Sequence, residues 1–476
     1  MPNDKNRFYI TTTLPYINAE PHIGFAREII EADVLARFHR GLGEEVFFNT
    51  GTDEHGLKVF RKAEELKMDT QKYCDEKAQA FLKLKEVLNL SFDNFIRTTD
   101  QKHIEAAQEF WKKCDDSGDI YKKSYKIKYC VGCELEKTES ELVDGKCPLH
   151  PNQEVEIIEE ENYFFRFSKY QEKLLALYEK NPEFVLPEKK FNEIRSFVKM
   201  GIEDFSISRL KSKMPWGVAV LNDPEHVMYV WFDALVSYIA AIGWPKEIEK
   251  FEKWWPAVQL AGKDNLRQQS AMWQAMLMSA EIIPSKQIFI NGFITTKGDK
   301  MSKSSGNFIS PSEMVEKFGV DGTRYLLLSF GSFGEDTDVS WEFFTEKYNA
   351  DLANGLGNLV SRIVKLSSNL NFQETNSKQN QNYKIQITNF IDKLEMGKAL
   401  ECVWDVIRED NKFIDDNKPW ELAKNNQEKF EEVMKKLLSD LDLIADLLIS
   451  FMPETSEKIK IALETKKVEP LFQRIK

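Results

Sequence analysis

The order of the first predicted elements limits the fold more than any other feature of the sequence. Residues 7–16 (RFYITTTLPY) are rich in β-branched and aromatic side chains and end near a proline, which predicts a buried strand. Residues 24–43 repeat apolar side chains at helical spacing and end at a glycine, which predicts a helix. Residues 44–56 (EEVFFNTGTDEHG) predict a second strand that runs into a turn. Strand, helix and strand in this order predict the beginning of a parallel α/β sheet.

The α/β pattern breaks near Ile120 and resumes near residue 225, where two strand–helix pairs and a further strand follow. Residues 121–160 are predicted to be hairpin-like because cysteines and turn glycines lie close together there, and mixed segments follow. The simplest interpretation is one parallel sheet that is split by an insertion of ordinary domain size. From about Thr345 onward the pattern predicts an all-α bundle, with a polar loop at residues 366–384.

The composition is that of a globular protein without membrane spans. The chain has 476 residues, is 42% hydrophobic and 30% charged, and carries a net charge of −12. This acidity argues against a general coat of nucleic acid but allows a local basic site. Nowhere is there a run of about 18 apolar residues, and the N-terminus lacks the apolar core of a signal peptide. Six cysteines are too few for a disulfide scaffold, which predicts a reducing, cytoplasmic location.

Three cysteines and a histidine form the strongest local motif. Cys130 and Cys133 make one C-x-x-C pair, and Cys147 and His150 make a C-x-x-H pair. Gly132 and Gly145 lie at the turns, which predicts two knuckles that face each other. Four soft ligands with no open position predict a tetrahedral, structural zinc site rather than a chance grouping.

Two further segments combine glycines with groups that are suited to binding phosphate. His22 and Gly24 lie where the first strand turns into the first helix, and a helix start offers unpaired N–H groups and a partial positive charge. Residues 297–307 (KGDKMSKSSGN) place Lys300 and Lys303 in a glycine-flanked loop. Taken alone, each segment also has an ordinary explanation: a helix start with a surface histidine, and a solvated charged loop.

Together these segments resemble the class I aminoacyl-tRNA synthetases. HIGF follows the first strand and KMSKS follows the second half of the sheet, and their order and topology carry the resemblance. TTTLPYINAEPHIGF, NTGTDEHG, DFSISR, YVWFDALVSY, GKDN and GNLVSR are similar to the methionine-specific family, over nearly the whole chain. The resemblance implies an α/β fold with a Rossmann-type parallel-sheet catalytic domain, split by a zinc-knuckle insertion and followed by an all-α helical bundle.

The resemblance also implies an activity. It is the ATP-dependent activation of methionine to methionyl-adenylate and transfer of the methionyl group to the 3′-terminal ribose of tRNA(Met), the initiator included. The implied cofactors are ATP, Mg²⁺ and one structural Zn²⁺. The implied domains are residues 1–120 and 225–291 for the two halves of the catalytic domain, 121–224 for the connective insertion with its zinc knuckle at 130–150, 292–345 for the KMSKS loop and stem-contact region, and 346–476 for the anticodon-binding domain.

Site residues are implied wherever the sequence matches a motif of the family. The implied catalytic residues are His22, Gly24, Arg209, Lys300 and Lys303. The implied ATP-binding residues are His22, Gly24, Phe25, Asp264, Lys300, Met301, Ser302, Lys303 and Ser304. The implied methionine-binding residues are Thr13, Leu14, Tyr16, Asp53, Trp231, Ala234, Tyr238, Asn265, Gln269 and Trp273, with Asp53 on the ammonium group. Asn358, Arg362 and Trp420 match anticodon-reading residues, although Trp420 after Pro419 would otherwise be taken for a core tryptophan.

Three positions depart from the family's pattern. Phe25 replaces the final histidine of the usual HIGH or HLGH motif, so it can pack on adenine but cannot donate a hydrogen bond. Asn265 and Gln269 stand where an apolar residue and a histidine are common. These two changes bear on the selection of the amino acid.

The sequence bears on several alternatives to this interpretation. A cysteine-specific enzyme of the same class draws its zinc ligands from scattered segments, whereas Cys130 to His150 form one compact knuckle. Leucine, isoleucine and valine enzymes carry a large editing insertion for which this chain has no room. A non-catalytic tRNA-binding paralogue is disfavoured by the intact His22, Gly24, Lys300 and Lys303. No appended C-terminal domain is visible in the sequence, and a monomer is expected.

Overall fold

The computed structural model describes residues 6–133, 135–137, 141–296, 298–300, 307–367, 378–467 and 469–476. The contacts within the chain divide it into two compact units. Unit 1 comprises Met1–Pro21, Glu44–Lys83 and Phe92–Asn291, and unit 2 comprises His22–Gly43, Leu84–Ser91 and Gly292–Lys476.

Most of the strands in the described part of the chain belong to unit 1. In chain order they are β1 (Arg7–Thr11), β2 (Glu45–Thr52), β3 (Asn94–Arg97), β4 (Ile120–Cys130), β5 (Leu135–Lys137), β6 (Glu156–Phe165), β7 (Val185–Leu186), β8 (Phe205–Ser206), β9 (Ser208–Leu210), β10 (Ala219–Val220), β11 (Asp223–Met228), β12 (Val258–Gly262), β13 (Gln287–Asn291), β14 (Ile294–Thr296), β15 (Asp299–Lys300) and β16 (Thr337–Asp338).

Helices occur in both units and make up most of unit 2. They are α1 (Ile23–Gly41), α2 (Leu57–Glu65), α3 (Thr70–Leu82), α4 (Leu84–Val87), α5 (Gln101–Asp116), α6 (Gln171–Lys180), α7 (Glu188–Lys199), α8 (Val230–Ala234), α9 (Ser237–Ala240), α10 (Ile248–Trp254), α11 (Trp273–Ser279), α12 (Pro311–Phe318), α13 (Val320–Leu328), α14 (Trp341–Lys347), α15 (Asn358–Leu366), α16 (Lys378–Ile391), α17 (Met396–Asn417), α18 (Pro419–Asn425), α19 (Gln427–Leu448) and α20 (Pro453–Thr465). No helix in these ranges is both long enough and apolar enough to cross a membrane.

Unit 1 is built on a six-stranded parallel sheet of order β3-β2-β1-β12-β13-β7. Ile10 pairs with Phe48 of β2 on one side and with Val258 of β12 on the other. Four of the five residues of β1, β12 and β13 are buried in each strand, as expected for a parallel sheet that is covered on both faces. The predicted parallel sheet, with halves from distant parts of the sequence, is confirmed.

Two elements of this sheet were not predicted from the sequence. β7 lies inside the predicted insertion, yet Val185 pairs in parallel with Ile288 of β13. β3 extends the opposite edge, where Thr50 pairs with Phe95. Strands of two and four residues are too short to show a hydrophobic period, which is why the pattern missed them.

Antiparallel sheets complete unit 1. The predicted hairpin at residues 121–160 is the long pair β4–β6, from Ile120 opposite Phe165 to Tyr129 opposite Glu156. β9, β10 and β11 form a separate three-stranded sheet. The strand predicted near residue 226 therefore pairs in this small antiparallel sheet and not in the parallel one.

Unit 2 contains α1, a small sheet of β15, β14 and β16, and the C-terminal helices. α12 begins with a capping box, in which Ser310 Oγ accepts a hydrogen bond from the Glu313 N–H at 3.2 Å, and Pro311 is its first residue. Phe430, Leu437 and Ile444 repeat at helical spacing on the buried face of α19. The all-α prediction for this part of the chain is confirmed.

The loop predicted at residues 366–384 is partly wrong. Residues 368–377 lie outside the described residues, but residues 378–384 form the first turns of α16. Their polar composition suggested a loop, yet lysine and glutamine are good helix formers, so polarity alone does not exclude a helix.

A buried ion-pair cluster joins the elements of unit 2. Arg324 of α13 is fully buried and lies 2.8 Å from a carboxylate oxygen of Asp33 in α1. Arg37 lies 2.7 Å from the same oxygen of Asp33. Burial raises the pKa of Asp33, but the two guanidinium groups outweigh it, and the pKa is lowered.

Candidate functional site

The segment that follows β1 lies beside the end of β2 in unit 1. The Asp53 N–H donates to the carbonyl oxygen of Pro15 at 3.0 Å, and Tyr16 and Asp53 form an isolated parallel bridge. Thr13 and Leu14, which precede this bridge, are half-buried. Neighbouring parallel strands end at the same edge of a sheet, where α/β proteins bind their ligands. The sequence-predicted Tyr16 and Asp53 are thus brought together.

Trp231 of α8 joins this group through its ring. The Tyr16 and Trp231 rings meet edge-on at 6.3 Å, and the Lys58 ammonium lies 4.9 Å from the centre of the Tyr16 ring. Both aromatic rings are half-buried, whereas Ala234 at the other end of α8 is buried. Tyr16, whose backbone pairs with that of Asp53, thus has the Trp231 ring beside it at this edge of the sheet.

Gln269, Tyr238 and Trp273 form a second, deeper group in unit 1. Gln269 Nε2 donates a hydrogen bond to the Tyr238 hydroxyl, and the Tyr238 and Trp273 rings meet edge-on at 6.2 Å. All three side chains are buried, and Trp273 is fully so. Gln269 lies in a π-helical turn, Gln268–Met272, a local distortion that is frequent at functional sites.

Asp264 and Asn265 follow β12 in a short 3-10 turn, Lys263–Asn265. Asp264 is exposed and Asn265 is half-buried. The structure thus places both residues at the carboxyl end of a central strand of the parallel sheet.

Arg209 of β9 is buried between two aromatic rings. Its guanidinium carbon lies 4.6 Å from the centre of the Tyr229 ring and 5.2 Å from that of Tyr129. Nη1 also donates to Ser206 Oγ at 2.7 Å and to the carbonyl oxygen of Ser208 at 2.8 Å. Cation–π contacts and hydrogen bonds together hold this buried charge in one orientation.

His22 caps α1 in unit 2. Its Nδ1 accepts a hydrogen bond from the Gly24 N–H at 3.0 Å, so one amide at the helix start is bonded within the chain. A ring nitrogen that accepts leaves the hydrogen of a neutral imidazole on Nε2. Phe25 is buried, and the Phe308 ring meets the His22 ring edge-on at 6.4 Å. His22 can therefore donate from Nε2, as a phosphate contact requires.

The lysine loop is only partly described. Lys300 lies in β15, whose backbone pairs with Thr295 of β14. Met301, Ser302, Lys303 and Ser304 lie outside the described residues. Their proposed contacts with ATP stay predictions.

The four sequence-predicted metal ligands converge in unit 1. Cys133 Sγ lies 3.4 Å from Cys147 Sγ and 3.3 Å from His150 Nδ1, and Cys130 Sγ lies 3.7 Å from His150 Nδ1. All four ligand atoms lie within 4.8 Å of one another. Bond lengths of tetrahedral zinc with sulfur and nitrogen ligands place the ligand atoms roughly 3.4–3.8 Å apart. The cluster can therefore hold a metal ion of that size.

Gly132 makes this arrangement possible. A Cβ atom at this position would lie 2.4 Å from Cγ of the His150 ring. Any side chain here would push His150 away from the three sulfur atoms. The glycine between Cys130 and Cys133 is thus required for the close approach of the fourth ligand.

Asn358, Arg362 and Trp420 lie in the helical part of unit 2. The Arg362 guanidinium carbon lies 5.9 Å from the centre of the Trp420 ring, and Nη2 donates to Asp415 Oδ1 at 2.6 Å. Trp420 is 42% exposed, so it is not a core residue, and Asn358 is exposed as well. An exposed aromatic ring beside a guanidinium group is suited to stacking on an RNA base.

Three buried residues near the methionine-binding positions were given no role from the sequence. Asp233 of α8 accepts hydrogen bonds from His55 and His103, although these residues are far apart in the chain. His55 and Asp233 occur in the motifs TDEHG and VWFDA, which were the available signal. Nothing in the sequence connects these motifs to His103.

Comparison with known proteins agrees with this geometry. The family model of tRNA synthetases class I (M) matches residues 8–156 and 141–364. The two matches cover more than half of the chain, so the chain belongs to the class I tRNA synthetases.

Comparison with individual relatives identifies the family within this class. It is 42% identical to the methionine–tRNA ligase of Thermotoga maritima over 95% of this chain and 74% of the relative. It is 40% identical to that of Rickettsia felis over 99% of this chain and 94% of the relative. A structure of Mycobacterium tuberculosis methionyl-tRNA synthetase in complex with methionyl-adenylate matches with a TM-score of 0.89 and 39% identity, over 96% of this chain and 93% of that one. The chain belongs to the methionine–tRNA ligase family.

Proposed function

We propose that this chain activates methionine with ATP and transfers the methionyl group to tRNA(Met), the initiator tRNA included. The observation that carries the proposal is the meeting of Tyr16, Asp53 and Trp231 at the carboxyl edge of the parallel sheet. A carboxylate beside two aromatic surfaces suits an amino acid with a free ammonium group and an apolar, flexible side chain. The likeness to a relative that binds methionyl-adenylate supports this choice.

Methionine selection would rest on aromatic contact and one polar group. Asp53 would bind the ammonium group. The other pocket residues would surround the substrate: Thr13, Leu14, Tyr16, Trp231, Ala234, Asn265 and Trp273. The Tyr238 hydroxyl accepts from Gln269 and can therefore donate its own proton, which suits the weakly accepting sulfur of a thioether. Gln269 would thus replace the common histidine by orienting a tyrosine.

Activation of methionine is a substitution at the α-phosphate of ATP. The carboxylate oxygen of methionine bonds to the α-phosphorus, the bond to the bridging oxygen breaks, and pyrophosphate leaves with its electron pair. Such a step needs alignment and charge stabilisation rather than a nucleophilic side chain. His22 through Nε2, the start of α1 with Gly24, and Lys300 and Lys303 would supply that stabilisation. Mg²⁺ would enter on the phosphate oxygens of ATP, since it prefers substrate phosphates and water as ligands.

The remaining ATP contacts follow from position in the motifs. Phe25 of α1 would contact the nucleotide by packing alone. Asp264 would lie near the adenylate, and Arg209 would provide a fixed positive charge. Met301, Ser302 and Ser304 would complete the loop over ATP. These roles are taken from the family's motifs.

Transfer to tRNA would use the helical part of unit 2 to select the tRNA. Trp420 would stack on an anticodon base, and Asn358 and Arg362 would hydrogen-bond base edges. Arg362 lies one helical turn beyond Asn358 on α15, so both side chains project from one face.

One zinc ion would be held by Cys130, Cys133, Cys147 and His150. The three sulfurs and one imidazole nitrogen fit tetrahedral zinc in type and spacing. With four protein ligands no position is open for water or substrate, so the ion would be structural. A monomeric state and a cytoplasmic location stay predictions from the sequence.

ATP–pyrophosphate exchange with a panel of amino acids tests the proposal. Methionine should have the highest kcat/KM, leucine should be discriminated against, and homocysteine should be activated appreciably because one methyl group supplies only ~1–3 kcal/mol of selection. A higher kcat/KM for any other standard amino acid, cysteine included, would overturn the assignment. No exchange with any amino acid would instead favour a non-catalytic tRNA-binding protein.

A further inference from the structure

A carboxylate that is completely buried in unit 1 bridges two histidines. Asp233 Oδ2 lies 2.6 Å from His55 Nδ1, and Asp233 Oδ1 lies 2.6 Å from His103 Nε2. The side chains of Asp233 and His103 are fully buried, and that of His55 is 6% exposed. Burial of a carboxylate is unfavourable unless it is paired and hydrogen-bonded, so both oxygens are used.

The three residues come from three different elements around the proposed methionine site. His55 lies two residues after Asp53 at the end of β2, and Asp233 lies two residues after Trp231 in α8. His103 lies in α5, whose Phe110 and Trp111 rings contact the Phe232 ring of α8 at 5.8 and 5.3 Å. Asp233 therefore links the segment that carries Asp53 to the helix that carries Trp231.

The donors and the acceptor of this cluster follow from its hydrogen bonds. An ionised carboxylate only accepts, so His55 donates from Nδ1 and His103 donates from Nε2. His103 Nδ1 is buried and, among the described residues, has no hydrogen-bond partner. Among the described residues, Nε2 is thus the ring nitrogen by which His103 is held.

The segment on which His55 lies is held on its other side as well. Glu54 accepts from Arg97 Nε at 2.7 Å and Nη2 at 2.8 Å, and its carbonyl oxygen accepts from Trp216 Nε1 at 2.7 Å. Gly56 follows with φ of 106°, a left-handed conformation that glycine adopts without strain. Asp53 is thus attached to a segment that is fixed on both sides, with the Asp233 cluster as its connection to α8.

We propose that Asp233, through His55 and His103, is a positioning residue for methionine: it fixes the distance between the Asp53 carboxylate and the Trp231 ring. The inference rests on the proposed function, because it concerns how that same site is preorganised. A bound amino acid touches neither histidine nor Asp233 in this scheme. Loss of the link would let the ammonium contact and the aromatic contact move apart, which lowers affinity without removing either group.

The test uses variants that change the hydrogen bonds but keep the shapes. In Asp233→Asn the amide oxygen still accepts from His103, while its NH₂ group faces His55, which must then change tautomer. In His55→Ala the link to β2 is lost, and in His55→Asn the side-chain amide can replace the Nδ1 donor. Asp223→Asn is the matched control, because Asp223 also pairs with a histidine, with 3.0 Å between Oδ2 and His226 Nδ1, at the start of β11.

Steady-state ATP–pyrophosphate exchange on the full chain gives KM for methionine, KM for ATP and kcat, and thermal unfolding reports stability. Asp233→Asn and His55→Ala should raise KM for methionine about tenfold and KM for ATP less than twofold. His55→Asn should recover most of the loss. Asp223→Asn should lower Tm but leave KM for methionine within twofold of the unmodified protein.

The outcomes distinguish the proposed function from the positioning role of Asp233. An unmodified protein without methionine exchange overturns the proposed function and the inference with it. An active unmodified protein whose folded Asp233→Asn and His55→Ala variants keep KM for methionine within twofold overturns the inference alone. Equal increases in KM for methionine in Asp223→Asn and Asp233→Asn would show a general structural effect and would also overturn it.

Discussion

Replacement of Gln269 by leucine should weaken methionine selection without weakening the fold. Gln269 is buried, its Nε2 donates to the Tyr238 hydroxyl, and among the described residues no donor lies within hydrogen-bond distance of its Oε1. Losing one neutral hydrogen bond costs about 1 kcal/mol, whereas removing a buried, unpaired carbonyl returns about 1–3 kcal/mol. The free energy of unfolding of Gln269→Leu should therefore be unchanged or raised by up to about 2 kcal/mol.

The effect on activity should have the opposite sign. Under the proposed function, the Tyr238 hydroxyl would lose the donor that orients it toward the substrate sulfur. One neutral hydrogen bond is worth about 1 kcal/mol, or about a fivefold decrease in kcat/KM for methionine. Leucine has no sulfur to accept the bond, so its kcat/KM should not fall, and the methionine-to-leucine ratio should decrease about fivefold.

Gln274→Leu provides the control, because Gln274 is a buried glutamine of the same helical segment with different contacts. Its Nε2 donates to the Gln269 carbonyl at 2.8 Å and to Ser285 Oγ at 3.1 Å, and its Oε1 accepts from the Ser285 N–H at 2.9 Å. Loss of these three bonds should cost about 3 kcal/mol of stability.

Denaturant unfolding and pyrophosphate exchange with methionine and leucine should give a crossed result. Gln269→Leu should keep stability and lose selection, and Gln274→Leu should lose stability and keep selection. A methionine-to-leucine ratio in Gln269→Leu that equals that of the unmodified protein would refute the role assigned to this residue.

Four further predictions address other parts of the chain. Cys147→Ser should lower bound zinc and protein yield together, and metal analysis that finds no zinc in protein purified without chelator would contradict the site. Lys303→Ala should lower the adenylation rate about a hundredfold, equivalent to about 3 kcal/mol, with little change in methionine binding; an unchanged exchange rate would mean that the loop is idle surface. Trp420→Ala should impair aminoacylation of tRNA and spare pyrophosphate exchange, and an equal loss of both would count against anticodon stacking. Burial raises the pKa of Asp233, but the interactions with His55 and His103 outweigh burial and lower the pKa to about 2. About 2.5 kcal/mol of stability is therefore present above pH ~4 and should be lost as the pH falls toward 2. Asp233→Asn should show a flatter acid-unfolding curve over that range, and identical curves would contradict the ion pairing.

Features that depend on local spacing could be predicted from the sequence. The four metal ligands lie in two short pairs, so their convergence in space follows from two turns and one hairpin. The parallel sheet was predictable because a strand, a helix and a second strand follow one another near the N-terminus, and strand–helix pairs resume after the insertion.

Features that depend on contacts between distant segments could not be predicted. β7 has two residues and acquires its place only by pairing with β13. The hydrogen bonds of Asp233 join three segments that no spacing relates, and the 42% exposure of Trp420 is decided by which helix face its neighbours leave uncovered. Residues 378–384 are polar enough for a loop and helical in fact, because propensity and packing outweigh polarity there.

The pairing of β1 with β12 has a consequence for synthesis on the ribosome. Ile10 meets Val258, so one edge of the first strand has no partner until roughly 250 further residues have been translated, on the order of 12–50 s at ordinary elongation rates. During that interval β1 can pair with β2, but its other edge exposes unpaired backbone N–H and C=O groups that invite pairing with another chain. The nascent protein should therefore depend on chaperones until β12 emerges, and truncated chains that end before residue 258 should aggregate rather than fold.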